Sequence, residues 1–121
     1  VHGETIVEPV PPGTNRAALE ADIDILAHPG LIKEEEVKLA AQRGIYLEIS
    51  ARKGHCLTNG RVVSLARKYN AKVIINSDAH SPEDLITLSR AEKILLGAGM
   101  TEDEVKKAFQ NSQILMEKFL S

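Results

Sequence analysis

The chain has 121 residues, 43% of them hydrophobic and 26% charged, a composition that supports one modest core and excludes both a disordered chain and two ordinary domains. The formal net charge of -2 provides no basic footprint for nucleic acid, and the single cysteine, Cys56, excludes an internal disulfide framework. No apolar run approaches bilayer-spanning length and no signal peptide opens the chain, which points to a soluble cytoplasmic protein without a membrane partner.

Val1-His2-Gly3-Glu4 reads as the end of a strand, so a segment is expected to be absent on its N-terminal side. Thr5 to Gly13 holds three of the five prolines and is expected to be a loop. Thr14 or Asn15 is suited to cap a short helix reaching about Glu20. Asp22 to Ala27 reads as a strand stopped by His28-Pro29-Gly30. Lys33 to Arg43 has acids in its first turn, a base in its last and Gly44 behind it, the order that suits a helix dipole and an αL cap; Val37, Ala40 and Ala41 form its apolar stripe.

Ile45 to Ile49 is the next expected strand, Ser50 to Thr58 a polar loop, and Thr58 or Asn59 the cap of a helix through Tyr69. Lys72 to Asn76 is a further strand. Ser81-Pro82-Glu83-Asp84 has a serine cap, a first-turn proline and acids, which predicts a helix to about Leu96, ended by Gly97-Ala98-Gly99. Thr101 to Glu104 is a capping box opening another helix, and Ile114 to Leu120 is expected to form a last short one. The fold class is therefore α/β, with parallel strands alternating with helices and right-handed crossovers.

The histidines follow the strands. His28 lies after the strand ending at Ala27, His55 in the loop after Ile49, and His80 after Asn76, two residues beyond Asp78; His2 and Glu4 sit where the first strand ends. Singly, each is ordinary: a histidine after a strand is usually a loop residue, and Asp78-Ala79-His80 reads equally as a turn with a helix cap. In a parallel sheet, however, the carboxyl ends of strands share one edge, where ligand sites form, so these residues are expected to converge. Imidazole and carboxylate are the usual ligands of zinc, manganese and iron, and the joint placement points to a metal site.

Ala27-His28-Pro29-Gly30, Tyr46-Leu47-Glu48-Ile49 with the loop carrying His55, and Asn76-Ser77-Asp78-Ala79-His80 resemble the later motifs of the PHP (polymerase and histidinol phosphatase) family; Gly3-Glu4 is similar to its strand-end glutamate. The resemblance covers essentially the whole chain. It implies that residues 1–121 are the C-terminal portion of a PHP-like domain, part of a distorted (β/α)₇ barrel. It implies up to three divalent metal ions (Zn, Mn or Fe) in a complete domain, with Glu4, His28, His55, Asp78 and His80 as ligands. Glu4 would bridge two metals, His28 and His55 would complete one site, Asp78 would join Glu4 on a second, and His80 would serve a third. The family opens with a His-x-His strand, and this chain has no His-x-His.

The activity implied is hydrolysis of a phosphate ester by a metal-activated water, with Asp78 and His80 catalytic and Arg52 and Lys53 holding the phosphate. A solvated basic surface is the plain alternative for Arg52 and Lys53, and Cys56 without a clear base is weak evidence for nucleophilic catalysis. The rival reading is a non-catalytic PHP-like structural or binding module of a polymerase or ribonuclease P-type complex; an amidohydrolase barrel is a third. The expected partner is a small phosphorylated substrate. Four strands of a closed barrel should leave edges and apolar inner-face residues such as Ile25, Leu47 and Ile74 uncovered. Self-association or pairing with the missing N-terminal half is therefore expected.

Overall fold

The structure, a computed structural model, describes residues 2–51, 53–76 and 88–120. Short apolar runs separated by amphipathic segments produce a four-stranded sheet in the order β1 (His2–Glu4), β2 (Ile25–Gly30), β3 (Tyr46–Ser50), β4 (Val73–Asn76), with every neighbouring pair parallel. The helices are α1 (Thr14–Glu20), α2 (Glu34–Arg43), α3 (Asn59–Tyr69), α4 (Leu88–Gly97) and α5 (Glu102–Leu120), and a 3₁₀ turn covers His55–Thr58. The strand–helix alternation expected from the sequence is thus present as an α/β fold.

Local chemistry explains the helix limits. The Glu36 carboxylate accepts the Lys33 N–H at 2.8 Å, which satisfies one orphan donor at the start of α2, and Gly44 ends the helix with φ 67°. Val37 and Ala40 turn inward from α2, Val62 and Ala66 from α3, and they pack with Leu19, Leu26, Leu47 and Ile49 into one core. α1 lies against α2 and α2 against α3, which makes a helical layer over the sheet.

β2 does not stop at Ala27: it runs through His28, Pro29 and Gly30. β2 pairs with β3 at Ile25↔Tyr46 and Leu26↔Leu47, whereas its pairing with β1 continues to Glu4↔Gly30. Pro29 therefore lies beyond the β3 ladder, where a missing N–H is tolerated. The other correction is at the C-terminus, where α5 is one helix of 19 residues and Ile114 does not open a new one. No glycine or proline interrupts residues 102–120, and Asn111 docks the middle of the helix by donating to the Val73 carbonyl at 3.0 Å. The start of the preceding helix expected at Ser81 lies outside the described residues.

That contact at Val73 covers part of one sheet edge. The Leu47 N–H donates to the Lys72 carbonyl at 2.9 Å, so the peptide groups of Val73, one residue on, face away from β3. Asn111 meets that outward carbonyl, and α5 continues until Lys118 pairs with Asp24, just ahead of β2, at 2.6 Å. The expectation of uncovered apolar residues is corrected accordingly: Leu47 is fully buried, Ile74 is buried and Ile25 is half-buried. The capping box of α5 forms as expected, with Thr101 N–H on Glu104 Oε1 at 2.8 Å and Glu104 N–H on Thr101 Oγ1 at 3.2 Å. Arg67 of α3 grips the same carboxylate at 2.9 and 2.7 Å and holds its pKa down from 4.5 to about 2. No helix among the described residues is long and apolar enough to cross a membrane.

Candidate functional site

Parallel pairing puts the carboxyl ends of all strands on one edge, and the described histidines gather there. The His2 and His28 rings lie 4.6 Å apart, and those of His28 and His55 stack at 4.3 Å with 23° between their planes. His2 Nδ1 and His28 Nε2 are 2.7 Å apart, a hydrogen bond between two imidazoles. His28 and His55 are buried, whereas His2 is exposed. Three residues distant in sequence thus form a column leading from the interior to solvent.

Each buried ring is held by a second group. The His28 backbone has φ 30°, a sparsely populated conformation for a residue with a Cβ. Its N–H donates to Glu48 Oε1 at 3.0 Å, and the same oxygen stands 3.5 Å from its Nδ1. His55 Nδ1 is 2.6 Å from Thr5 Oγ1, and its Nε2 is 3.7 Å from Glu8 Oε1. Asn59, at the start of α3, does not cap its own helix; its amide accepts the Ser50 N–H at 3.1 Å and donates to the Ser50 carbonyl at 2.9 Å, which anchors the end of β3 to the helix that follows.

Glu4 is bound reciprocally to Asn15. Its N–H donates to Asn15 Oδ1 at 2.8 Å and its Oε2 accepts the Asn15 N–H at 2.8 Å, while Asn15 Nδ2 donates to the Pro29 carbonyl at 2.8 Å. One buried asparagine therefore ties the ends of β1 and β2 together. The crossing is so close that a Cβ on Gly30, whose φ is 67°, would sit 1.8 Å from the Glu4 carbonyl oxygen. That contact is the physical reason for glycine in the His28-Pro29-Gly30 sequence.

Of the ligands inferred from the sequence, His28 and His55 are neighbours, and Glu4 stands at the end of β1 with one carboxylate oxygen turned to α1. Asp78 and His80 lie outside the described residues, as does Arg52. Lys53 is exposed in the turn before His55, and Cys56 is half-buried. The sequence carries no local signal for the roles of Asn15, Glu48 and Asn59, because their partners are 14 and 11, 20, and 9 residues away.

Among the described residues, no group of three or more His, Cys, Asp or Glu side chains is arranged to hold a metal ion. The imidazoles of His28 and His55 have the right donor chemistry for zinc, manganese or iron. They are a partial set: a further donor would have to come from beyond the described residues or from a turn of Glu4. A cavity of about 310 Å³ lies elsewhere, at the amino end of β4, lined by Val63, Arg67, Lys72, Glu104 and Asn111 among others. Its most prominent charges, Arg67 and Glu104, are paired with each other, and it contains none of the strand-end histidines.

No established family profile matches the chain. Over 107 residues it is 49% identical to an uncharacterized protein of Methanocaldococcus jannaschii, a match covering 88% of this chain and 49% of that protein. It is also similar to proteins named probable phosphatases. One, from Thermoanaerobacter pseudethanolicus, is 34% identical over 94 residues, covering 69% of this chain and 38% of that protein. Another, from Clostridium botulinum, is 30% identical over 91 residues, covering 67% and 37%. The chain thus spans about half, or less, of the length of the curated relatives it matches.

Proposed function

We propose that this chain is part of a PHP-type, metal-dependent phosphoesterase that hydrolyses a phosphate ester of a small molecule. The observation that carries the reading is the column of His2, His28 and His55 at the strand carboxyl ends, with His28 and His55 buried among polar partners. Burying imidazoles and a carboxylate in place of apolar side chains costs free energy even when they are hydrogen-bonded, and such burial concentrates at functional sites. The similarity to proteins named probable phosphatases supplies the reaction class.

In this reading His28, His55 and Glu4 would hold one zinc, manganese or iron ion, Asp78 and Glu4 would serve a second, and His80 would serve a third. When bound, such ions supply an activated water and neutralise charge on the phosphoryl group. The chain's own residues do the rest. Arg52 and Lys53, which precede His55 in the sequence, would hold the phosphate, and Asp78 and His80 would be the catalytic residues. Asn15 keeps Glu4 at its post, because a carboxylate tied at one oxygen retains the other for a ligand. The sheet is a section of a distorted (β/α)₇ barrel, and the outer side of β1 is where a further N-terminal segment or a second copy would pair.

The test is hydrolysis of p-nitrophenyl phosphate by the full-length protein with added manganese or zinc. The wild type is expected to turn over and Asp78→Ala to be inactive. Undiminished hydrolysis by Asp78→Ala would remove that residue from the mechanism. No hydrolysis by the metal-loaded wild type would favour a non-catalytic module.

A further inference from the structure

Glu48 has no role in the reading above, yet it is among the most buried charged side chains described, 2% exposed in the interior of β3. It points at one residue. Its Oε1 accepts the His28 N–H at 3.0 Å and lies 3.5 Å from His28 Nδ1. An oxygen that already accepts a hydrogen bond presents electron density to whatever else it faces. A lone pair on His28 Nδ1 would be repelled by it, and a proton there would be attracted. The other ring nitrogen is 2.7 Å from His2 Nδ1, so one of that pair must donate and the other accept.

We propose that Glu48 is a positioning residue that holds His28 as the Nδ1–H tautomer, so that Nε2 carries a lone pair toward the space shared with His2. His2 is then the donor of the imidazole–imidazole bond. The backbone serves the same end: His28 holds a strained φ of 30°, and the Glu48 carboxylate accepts its N–H at 3.0 Å and so helps to hold that conformation. At 3.5 Å Glu48 Oε1 acts on Nδ1 as a nearby negative charge rather than as a hydrogen-bond acceptor, in the place where a carboxylate commonly sets the tautomer and orientation of a ligating histidine. The inference rests on the metal-binding reading for its purpose, but the tautomer itself does not need a metal.

The experiment is long-range ¹H–¹⁵N NMR of the histidine rings in metal-free protein at alkaline pH, for the wild type, Glu48→Gln and Glu48→Met, followed by zinc titration of each by calorimetry. In the wild type His28 Nε2 is expected to show the shift of an unprotonated ring nitrogen. Glu48→Gln keeps an acceptor oxygen and should keep both the tautomer and the zinc affinity. Glu48→Met should move the proton toward Nε2 and weaken zinc binding about tenfold or more. A protonated Nε2 in the wild type overturns the proposal, and so does an unchanged tautomer in Glu48→Met. Should Glu48→Met fail to fold, the wild-type spectrum alone decides. An Nδ1–H tautomer in a wild type that takes up no zinc would leave the positioning role standing and contradict the metal-binding reading instead.

Discussion

Leu47 and Glu48 are successive residues of β3, almost fully buried, and they face opposite chemistries. Leu47 joins Leu26, Ile49 and Val62 in an apolar core under the helices. Glu48 faces His28 across a polar cluster that also contains Thr5, Asn15, His55 and Asn59, all buried. The first environment is what hydrophobic burial favours at every temperature of interest. The second is tolerated because Thr5, Asn15, Glu48 and Asn59 are met by hydrogen bonds, and such networks define a geometry more than they add stability. Folding strength and chemical capacity are thus carried by alternate residues of the same strand.

If this division holds, truncation on the apolar side should unfold the chain while leaving the cluster's chemistry intact in whatever remains folded. Leu47→Ala removes a fully buried side chain and is expected to cost about 2–5 kcal/mol in urea denaturation. A cost below about 1 kcal/mol would mean that the core is looser than the packing indicates.

Gly30→Ala sits where the two regions meet. Its Cβ would overlap the Glu4 carbonyl at 1.8 Å on a backbone with φ 67°. Relief requires β1 to move, with a cost of about 2–4 kcal/mol from strain and overpacking together. Because β1 carries His2 and Glu4, the substitution should also disrupt the His2–His28 contact, seen as changed imidazole NMR shifts. Wild-type stability and shifts in Gly30→Ala would mean that the close approach of β1 and β2 is not required.

The smallest effect belongs to the surface. Arg67 and the backbone of Thr101 hold the Glu104 carboxyl at about 2 in the folded chain, against 4.5 without those partners. A carboxylate with a depressed folded pKa contributes stability that is fully present above its unfolded pKa and disappears as the pH falls through its folded one. Glu104→Gln should therefore melt slightly below the wild type at pH 7, and the gap should narrow between about pH 4.5 and 2. Half-exposed Arg67 keeps the effect small. A gap that widens on acidification would contradict the pairing.

The order and type of the elements were legible because each carries local punctuation: acids in the first turn of α2 and Gly44 behind it, the Thr101–Glu104 box opening α5, and a β-branched run at β4. The end of β2 was not, because proline and glycine ordinarily stop a strand and only the pairing with β1 carries it through Gly30. Nor was the unbroken α5, whose middle is fixed by Asn111 on Val73, a contact 38 residues long. Strand-end placement is enough to expect His28 and His55 to come together, as their stacked rings do, but the residues that hold them are Glu48 on β3 and Thr5 in the proline-rich stretch. Nothing in the neighbourhood of either in sequence signals that role. Asn15 read as a helix cap and is instead the brace between β1 and β2.

The most direct test of the central proposal is the metal content of the purified protein, by elemental analysis after dialysis, for the wild type and for His28→Ala. Stoichiometric zinc, manganese or iron in the wild type, lowered in a His28→Ala protein with unchanged circular dichroism, is the predicted result. A wild type free of all three metals even after incubation with them, or a folded His28→Ala that retains the full complement, would contradict a metal site built on the strand-end histidines.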